Sequence, residues 1–329
     1  MKAVVVNAPG GLEALRVQNV ATPVAGAGEV LIKVEFAACN WGDIQKRQGI
    51  YPDPVTYPAI LGAEGAGEIT MLGAGVDGLH KGQKVLFISG TAMLGAFAEY
   101  VSVPQALVIP VDAAGDDLRR LSVLPVAALT AYHLVHTAYP LKAGQQLLVH
   151  SVAGGVGLMV VAWARRIGAR VYGTVGDRAK VQAALDAGVA RVIVRPDEDF
   201  VAVLREATHG KGVDLVIDSL GADVLERSFD VLRYYGHLIN IGEAAGDPEF
   251  DIRKTLYRRS TAMAGFEVMH ALQLPAVWQQ GLQALRDGIR RGDIQMPIDS
   301  VFGIDKIADA QAYMASGKSS GKILIEISD

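Results

Sequence analysis

The sequence predicts an α/β chain in two parts: a doubly wound parallel sheet, and a mostly β, partly closed barrel. Three observations lead there. Strand-like and helix-like segments alternate over residues 146–241. The first of those strands runs straight into a glycine-rich turn and a helix. The opening third is instead dense in short β-branched or alternating runs broken by Gly and Pro.

In that opening third the strands are Val4–Val6, Val30–Phe36, Val85–Ile88, Phe97–Val103 and Leu107–Ile109. Pro9-Gly10-Gly11, Gly26–Gly28, Pro52–Pro58 and Gly73–Gly78 separate them. Spacing this close suits a barrel better than βαβ units. The texture changes at Pro125. Strand Gln146–His150 precedes helix Val156–Ile167, and strand Arg170–Val175 precedes helix Ala179–Ala187. Strand Arg191–Val194 precedes helix Phe200–Thr208, and strand Leu215–Asp218 precedes helix Val224–Leu232 and strand His237–Ile241. That alternation means a parallel sheet with helices on both faces. Thr261–Phe266 adds a strand, and Pro275–Arg290 and Ile307–Met314 read as helices. The last strand, Lys322–Ile327, is expected to pair back with the β part. The expected domains are residues 1–124 with 270–329, and residues 125–269.

A chain of 329 residues is comfortable for two domains. Half is apolar and 20% is charged, a globular composition. The net charge is −4 and the charges are scattered, so no cationic footprint for nucleic acid is expected. No apolar run reaches membrane-spanning length, and the opening MKAVVVNAPG is too short for a signal core. A cytoplasmic location without a membrane partner is the expectation. The one cysteine, Cys39, excludes an intrachain disulfide and any zinc site built on several thiolates. A single thiol also fits a reducing compartment.

The central motif is Leu148-Val149-His150-Ser151-Val152-Ala153-Gly154-Gly155-Val156-Gly157. Strand, glycine turn and helix start form the context of a Rossmann dinucleotide fingerprint. Glycines let the backbone approach a pyrophosphate, and the helix N-terminus offers N–H groups. Against G-x-G-x-x-G, Gly154 and Gly157 are kept and Val152 takes the first position. Ala153, Gly154, Gly155, Val156 and Gly157 are therefore expected cofactor contacts. NAD sites place an acid at the end of the second strand. Here that strand reads Val171-Tyr172-Gly173-Thr174-Val175-Gly176, and Asp177 comes only after the glycine. Thr174, Gly176, Lys180 and Arg195 are expected around a 2′-phosphate, so the cofactor is expected to be NADPH. Ser219, at a strand end, is expected to contact it too; no paired base marks it as a nucleophile.

Taken together, several segments resemble one known family across essentially the whole chain. They are Asn40-Trp41-Gly42-Asp43, Gly49-Ile50-Tyr51-Pro52, Leu61-Gly62-Ala63-Glu64-Gly65-Ala66-Gly67, Leu129-Thr130-Ala131-Tyr132, Ala153–Gly157, Gly173–Gly176 and Asp218-Ser219-Leu220-Gly221. The chain resembles the quinone oxidoreductases of the medium-chain dehydrogenase/reductase superfamily, the group that includes zeta-crystallin. The resemblance implies a GroES-like catalytic domain beside the Rossmann domain. It implies NADPH-dependent, zinc-free hydride transfer to a quinone or a related conjugated carbonyl compound. It places Asn40 and Asp43 near the nicotinamide, with Tyr51 facing the substrate as a phenol donor; Asn40 and Tyr51 count as cofactor contacts as well. It gives Thr130 to the carboxamide or ribose region, and sets Ile241, Gly242, Glu243 and Phe266 beside the nicotinamide ring. It also implies a homodimer through the nucleotide-binding domains, where Thr261–Phe266 would otherwise be an exposed edge.

Zinc-dependent members carry a Cys in C-x-x-D and a His in G-H-E-x-x-G. This sequence has Asn40 and Ala63 there; Cys39 is one residue out of register, and the four-cysteine lobe is absent. No metal site is expected. Other roles stay open. Tyr51 can cap the barrel, Asp43 can hold its loop through backbone N–H groups, and Glu64 can be a hydrogen-bonding core residue. Reduction of an enoyl-thioester, alkenal or enone is the alternative chemistry. A non-catalytic crystallin-like or RNA-binding protein is the alternative of another class, with the acidic charge against RNA.

Overall fold

The structure is a computed structural model that describes residues 1–112 and 116–327. It has two compact units: residues 1–126 with the chain from Ala284 onward, and Ala127–Gln283. In chain order the first unit holds β1 (Lys2–Val6), β2 (Leu15–Asn19), β3 (Glu29–Ala38), α1 (Trp41–Gln48) and β4 (Ala59–Ile60). Next come β5 (Glu64–Leu72), β6 (Lys84–Ile88), β7 (Tyr100–Pro104), β8 (Val108–Pro110) and α2 (Asp116–Leu121). Helix α3 (Pro125–His133) leads into β9 (Gln146–Val149), α4 (Gly155–Ile167), β10 (Arg170–Val175), α5 (Val181–Ala187), β11 (Arg191–Val194) and α6 (Phe200–Ala207). Then follow β12 (Val213–Asp218), α7 (Ala222–Ser228), β13 (Leu232–Asn240), α8 (Ile252–Tyr257), β14 (Ala262–Gly265) and α9 (Pro275–Arg291). The chain closes with β15 (Ile298–Gly303), α10 (Ile307–Ala315) and β16 (Lys322–Glu326).

In the first unit β15, β16, β3, β5, β6 and β8 form one sheet in that order, with β7 also on β3; β2, β1 and β4 form a smaller sheet. Backbone bonds from Val4 N to Phe97 O (2.8 Å) and from Val34 N to Glu99 O (2.9 Å) tie the two together, which gives the partly closed barrel. As expected, β16 returns to pair antiparallel with β3. Strand β5 is not evident in the sequence because its head is Glu64-Gly65-Ala66-Gly67, and glycine reads as loop. The geometry requires those glycines. A Cβ on Gly67 would lie 2.0 Å from Lys33 O, and one on Gly65 2.4 Å from Phe36 O, beside the register shift of β3 between Val34 and Phe36.

The second unit is a parallel sheet in the order β11-β10-β9-β12-β13-β14. Numbered from β9, this is the Rossmann order 3-2-1-4-5-6. Leu148, Tyr172, Ile193, Val216 and Leu238 come from successive strands and pack with Phe200, Leu204 and Leu225 of the helices. Burial on both faces explains why these strands read as apolar runs. The winding reverses between β9 and β12, and ligands bind outside the carboxyl ends of the strands at such a point.

Among the boundaries that differ from expectation, two bear on the second unit's layout. The helix expected to reach Leu232 is α-helical to Ser228 and tightens to a 3-10 turn over Phe229–Val231, because Leu232 already opens β13. Residues 233–236 bulge opposite Asp214, pinned by Arg233 Nε to Asp214 Oδ1 (2.7 Å), with Tyr235 at φ +59°. The chain also returns to the first unit at Ala284, within α9, rather than at residue 270. The early turns of α9 belong to the second unit: Trp278 stacks on His133, and Gly281 leaves the room that the His133 ring fills.

Candidate active site

At the switch point, β9 ends at Val149 and α4 starts at Gly155, with Gly154 as an N-cap that supplies no side chain. No acidic residue lies in the first turn of α4. The helix therefore presents backbone N–H groups and the positive end of its dipole to an incoming anion. A Cβ on Gly157 would meet Val152 O at 2.6 Å and Ser151 O at 2.7 Å, so only glycine lets the helix sit this close to the turn. The departure at the first fingerprint position also has its explanation. Val152 is fully buried, and its side chain fills the space above Gly173, where a Cβ would lie 2.4 Å from Val152 Cγ1. A glycine on β10 thus makes room for the valine in the turn.

Beneath the turn lies a buried polar chain. Ser228 Oγ donates to Val224 O (2.6 Å) and so accepts from His150 Nε2 (2.8 Å), which leaves His150 Nδ1 to accept from Thr174 Oγ1 (2.9 Å). Burial holds His150 neutral, its pKa lowered to about 3, with Arg195 nearby acting in the same direction. Thr174 requires a correction. It is fully buried and its hydroxyl points to His150, so that hydroxyl is not offered to a 2′-phosphate. Both faces of β10 are buried, so the sequence carried no alternation to show which way Thr174 points.

Of the other expected cofactor residues, Gly176, Lys180, Arg195, Ser219, Ile241, Gly242, Glu243 and Phe266 lie at the carboxyl ends of these strands or close after them. Arg195 Nη2 is 3.4 Å from where a Gly176 side chain would begin, and Arg195 Nε is sealed from solvent without a hydrogen-bond partner. Burial lowers the Arg195 pKa, while Asp218 and Asp223 oppose the shift. Lys180 ends the short helical turn Arg178–Lys180, where Asp177 accepts from Ala179 N (2.8 Å). That acid is thereby engaged in capping. Ser219 follows Asp218, whose carboxylate accepts from Leu220 N (3.1 Å), Gly221 N (3.0 Å) and Asn240 Nδ2 (3.2 Å). Ile241 N bonds Asp218 O (2.8 Å), Gly242 O accepts from Asn240 Nδ2 (3.1 Å), and Phe266 N bonds Asn240 O (3.0 Å). Burial raises the Glu243 pKa, and Asp247 and Asp218 add to it. Thr130 is buried on α3.

In the first unit Asn40 is the N-cap of α1. Asn40 Nδ2 donates to Glu64 Oε1 (3.0 Å) and Ala38 O (3.3 Å), and Asn40 Oδ1 accepts from Lys322 Nζ (2.7 Å). Both amide hydrogens are directed into the protein, which corrects the expectation that Asn40 serves as a catalytic group at the substrate. Asp43 is fully buried, and its Oδ2 accepts from Asn40 N (2.8 Å). Burial pushes its carboxyl up to about 6, against the pull of Lys46 and the Asn40 N–H. Of the two roles open to Asp43, the geometry favours holding the start of α1. Tyr51 is half-buried, packed on Gly42, with Lys46 Nζ 4.4 Å from its ring centroid. Lys46 is itself buried and donates to Ala92 O (2.7 Å) and Met93 O (3.1 Å). Neither Lys46 nor Lys322 stood out in the sequence.

Glu64 is the hydrogen-bonding core residue considered as one option. Its Oε1 also accepts from Lys322 Nζ (2.8 Å), and its Oε2 from Val126 N (2.7 Å). Cys39 is buried, and burial with Asp43 nearby drives its thiol pKa up. Among the described residues no group of three His, Cys, Asp or Glu could hold a metal ion.

Comparison with known proteins places this geometry. A family model for the alcohol dehydrogenase GroES-like domain matches residues 26–113, and one for zinc-binding dehydrogenase matches residues 155–287. The 2-haloacrylate reductase of Burkholderia sp is 31% identical over 98% of this chain and 98% of its own. The chain belongs to the medium-chain dehydrogenase/reductase superfamily, in its quinone oxidoreductase branch. The Escherichia coli quinone oxidoreductase, solved in complex with NADPH, superposes with a TM-score of 0.90 at 28% identity, covering 99% of this chain and 100% of that one. A phenolphthiocerol/phthiocerol polyketide synthase of Mycobacterium tuberculosis is 32% identical over 98% of this chain, which spans 14% of that protein's length. The zinc in one family description does not fit the residues present. Asn40 and Ala63 stand at the Cys and His positions of the zinc-dependent members, and neither an amide turned inward nor a methyl group replaces thiolate and imidazole.

Proposed function

We propose that the protein reduces conjugated carbonyl compounds, quinones foremost, with NADPH and without zinc. The observation that carries this is the end of β10: no carboxylate in the strand, the Arg195 guanidinium beside Gly176, and Lys180 one short turn on. Those groups suit a 2′-phosphate. The N–H groups at the start of α4 suit the pyrophosphate, and Ser219, Ile241, Gly242, Glu243 and Phe266 the nicotinamide end. When bound, NADPH supplies a hydride. The relatives named for quinones and 2-haloacrylates act on acceptors in which a double bond is conjugated to a carbonyl or carboxyl group. Such a carbon takes hydride without a Lewis acid, and the oxygen that gains charge needs a proton from Tyr51 or water.

The test is turnover of a panel of quinones, enones and enoyl-thioesters with NADPH, before and after dialysis against a chelator. Oxidation of NADPH by quinones that survives the chelator is expected; dependence on added zinc overturns the zinc-free reading. Tyr51→Phe is expected to cost little with quinones and more with less activated enones, where proton transfer weighs more in the barrier. Faster turnover of enoyl-thioesters than of quinones would support the second reading, which the match to a polyketide synthase segment favours.

A homodimer through the second unit belongs to the same proposal. Strand β14 is the edge of the parallel sheet, and Ala262, Ala264 and Gly265 are exposed. Tyr234, Tyr235 and Tyr257 are exposed too, and Tyr235 N bonds Arg259 O, close before that edge. A bare apolar edge is a pairing hazard, and aromatic residues are enriched in interfaces. Sedimentation at micromolar concentration is expected to give about twice the 34.8 kDa chain mass. A single species at the chain mass rejects the dimer.

A further inference from the structure

Lys322 opens β16, and the residues after it, Ile323, Leu324 and Ile325, are fully buried. An ammonium at the head of such a strand is costly to desolvate unless each of its N–H groups is met. Here all three are met: by Cys39 O at 2.8 Å, Asn40 Oδ1 at 2.7 Å and Glu64 Oε1 at 2.8 Å. The acceptors come from the turn after β3, the N-cap of α1 and the head of β5. One ammonium thus gathers the N-cap of α1 and the head of β5 into a single polar locus.

We propose that Lys322 is a positioning residue: its ammonium is the resident cation of this locus, and it sets the placement of the segment from Asn40 through α1 to Tyr51. Three directional bonds from one nitrogen hold the adjacent residues Cys39 and Asn40 against Glu64 of β5. Asn40 begins α1, and Lys46 of that helix lies over the Tyr51 ring, so a shift at the N-cap is passed on to the phenol. A hydrophobic residue at 322 could fill the volume but not direct the three acceptors. A buried ion pair is poor evidence for stability as such; the role argued for here is geometric. It rests on the reading that Tyr51 faces the acceptor.

The experiment compares Lys322→Met, Lys322→Arg and the double variant Lys322→Met/Glu64→Gln in the full chain. Melting temperature reports the fold. Fluorine NMR of 5-fluorotryptophan-labelled protein reports the segment through Trp41, the first residue of α1, assigned with Trp41→Phe. NADPH affinity and quinone kcat report the site. Lys322→Met alone leaves the Glu64 carboxylate buried without its cation and is expected to melt low or fail to fold. The double variant removes that lone charge and is expected to recover most of the melting temperature. It keeps a displaced Trp41 signal and a kcat lowered on the order of ten- to a hundredfold, with NADPH affinity nearly unchanged. Lys322→Arg is expected to restore the Trp41 signal and part of kcat. A double variant with the parent Trp41 signal and kcat would overturn the proposal, leaving the pair a matter of packing. If the parent protein turns over no acceptor, the proposed function fails, while the Trp41 signal still decides the role of Lys322.

Discussion

Neutralising Lys180 and Arg195 together, as Lys180→Gln/Arg195→Gln, is expected to raise the NADPH dissociation constant by about a hundredfold or more and to leave NADH within a few-fold of the parent protein. The size follows from two charge-assisted contacts to one phosphate, each worth about 1.5–3 kcal/mol. The asymmetry follows from position. The Arg195 guanidinium lies beside Gly176, where an NAD-specific site would carry an acid for the ribose hydroxyls. The nearest acid along the chain, Asp177, already accepts from Ala179 N. The Thr174 hydroxyl serves His150, so Thr174→Val should not mimic the double variant. Fluorescence titration with both coenzymes measures the ratio. Equal loss for NADPH and NADH would show that these cations do not read the 2′-phosphate.

What the sequence disclosed and what it hid follow from where each residue's partners lie. Strands β9 to β13 were legible because burial on both faces demands apolar, β-branched runs, and the turn before α4 because a phosphate-binding bend demands glycine. Helix α1 was hidden. Trp41-Gly42-Asp43-Ile44-Gln45-Lys46-Arg47-Gln48 looks like a solvated surface segment, yet Asp43, Lys46 and Arg47 are buried. Lys46 is met by the carbonyls of Ala92 and Met93, 46 and 47 residues away, which no local pattern reveals. Lys322 is the sharpest case. A lysine at the start of a strand reads as a solvated edge, and its acceptors lie 258 to 283 residues away. The failed expectation for Asn40 has the same origin. The direction of its amide depends on Glu64 and Lys322, which lie far along the chain.

Gly173→Ala is expected to lower the melting temperature by several degrees and to weaken NADPH and NADH alike, and Val152→Gly is expected to undo most of both effects. The added methyl would lie 2.4 Å from Val152 Cγ1 and 2.6 Å from Val152 Cβ. Overpacking of this kind costs about 1–3 kcal/mol. Val152 cannot simply turn away, because it is fully buried and its N–H is held by Thr174 O at 3.0 Å. Relief must therefore come from movement of the turn, and the turn carries Ala153, Gly154 and the start of α4, where a pyrophosphate shared by both coenzymes would bind. Val152→Gly alone leaves a void above Gly173 and is itself destabilising. Combined, the two changes exchange the valine in the turn for an alanine on the strand and should couple favourably by about 1 kcal/mol or more. Simple additivity in denaturant melts would mean that Val152 is not seated on Gly173. Gly157→Ala is the control. Its methyl would strike Val152 O at 2.6 Å and Ser151 O at 2.7 Å, both backbone atoms, so Val152→Gly should leave that loss of coenzyme binding unrepaired.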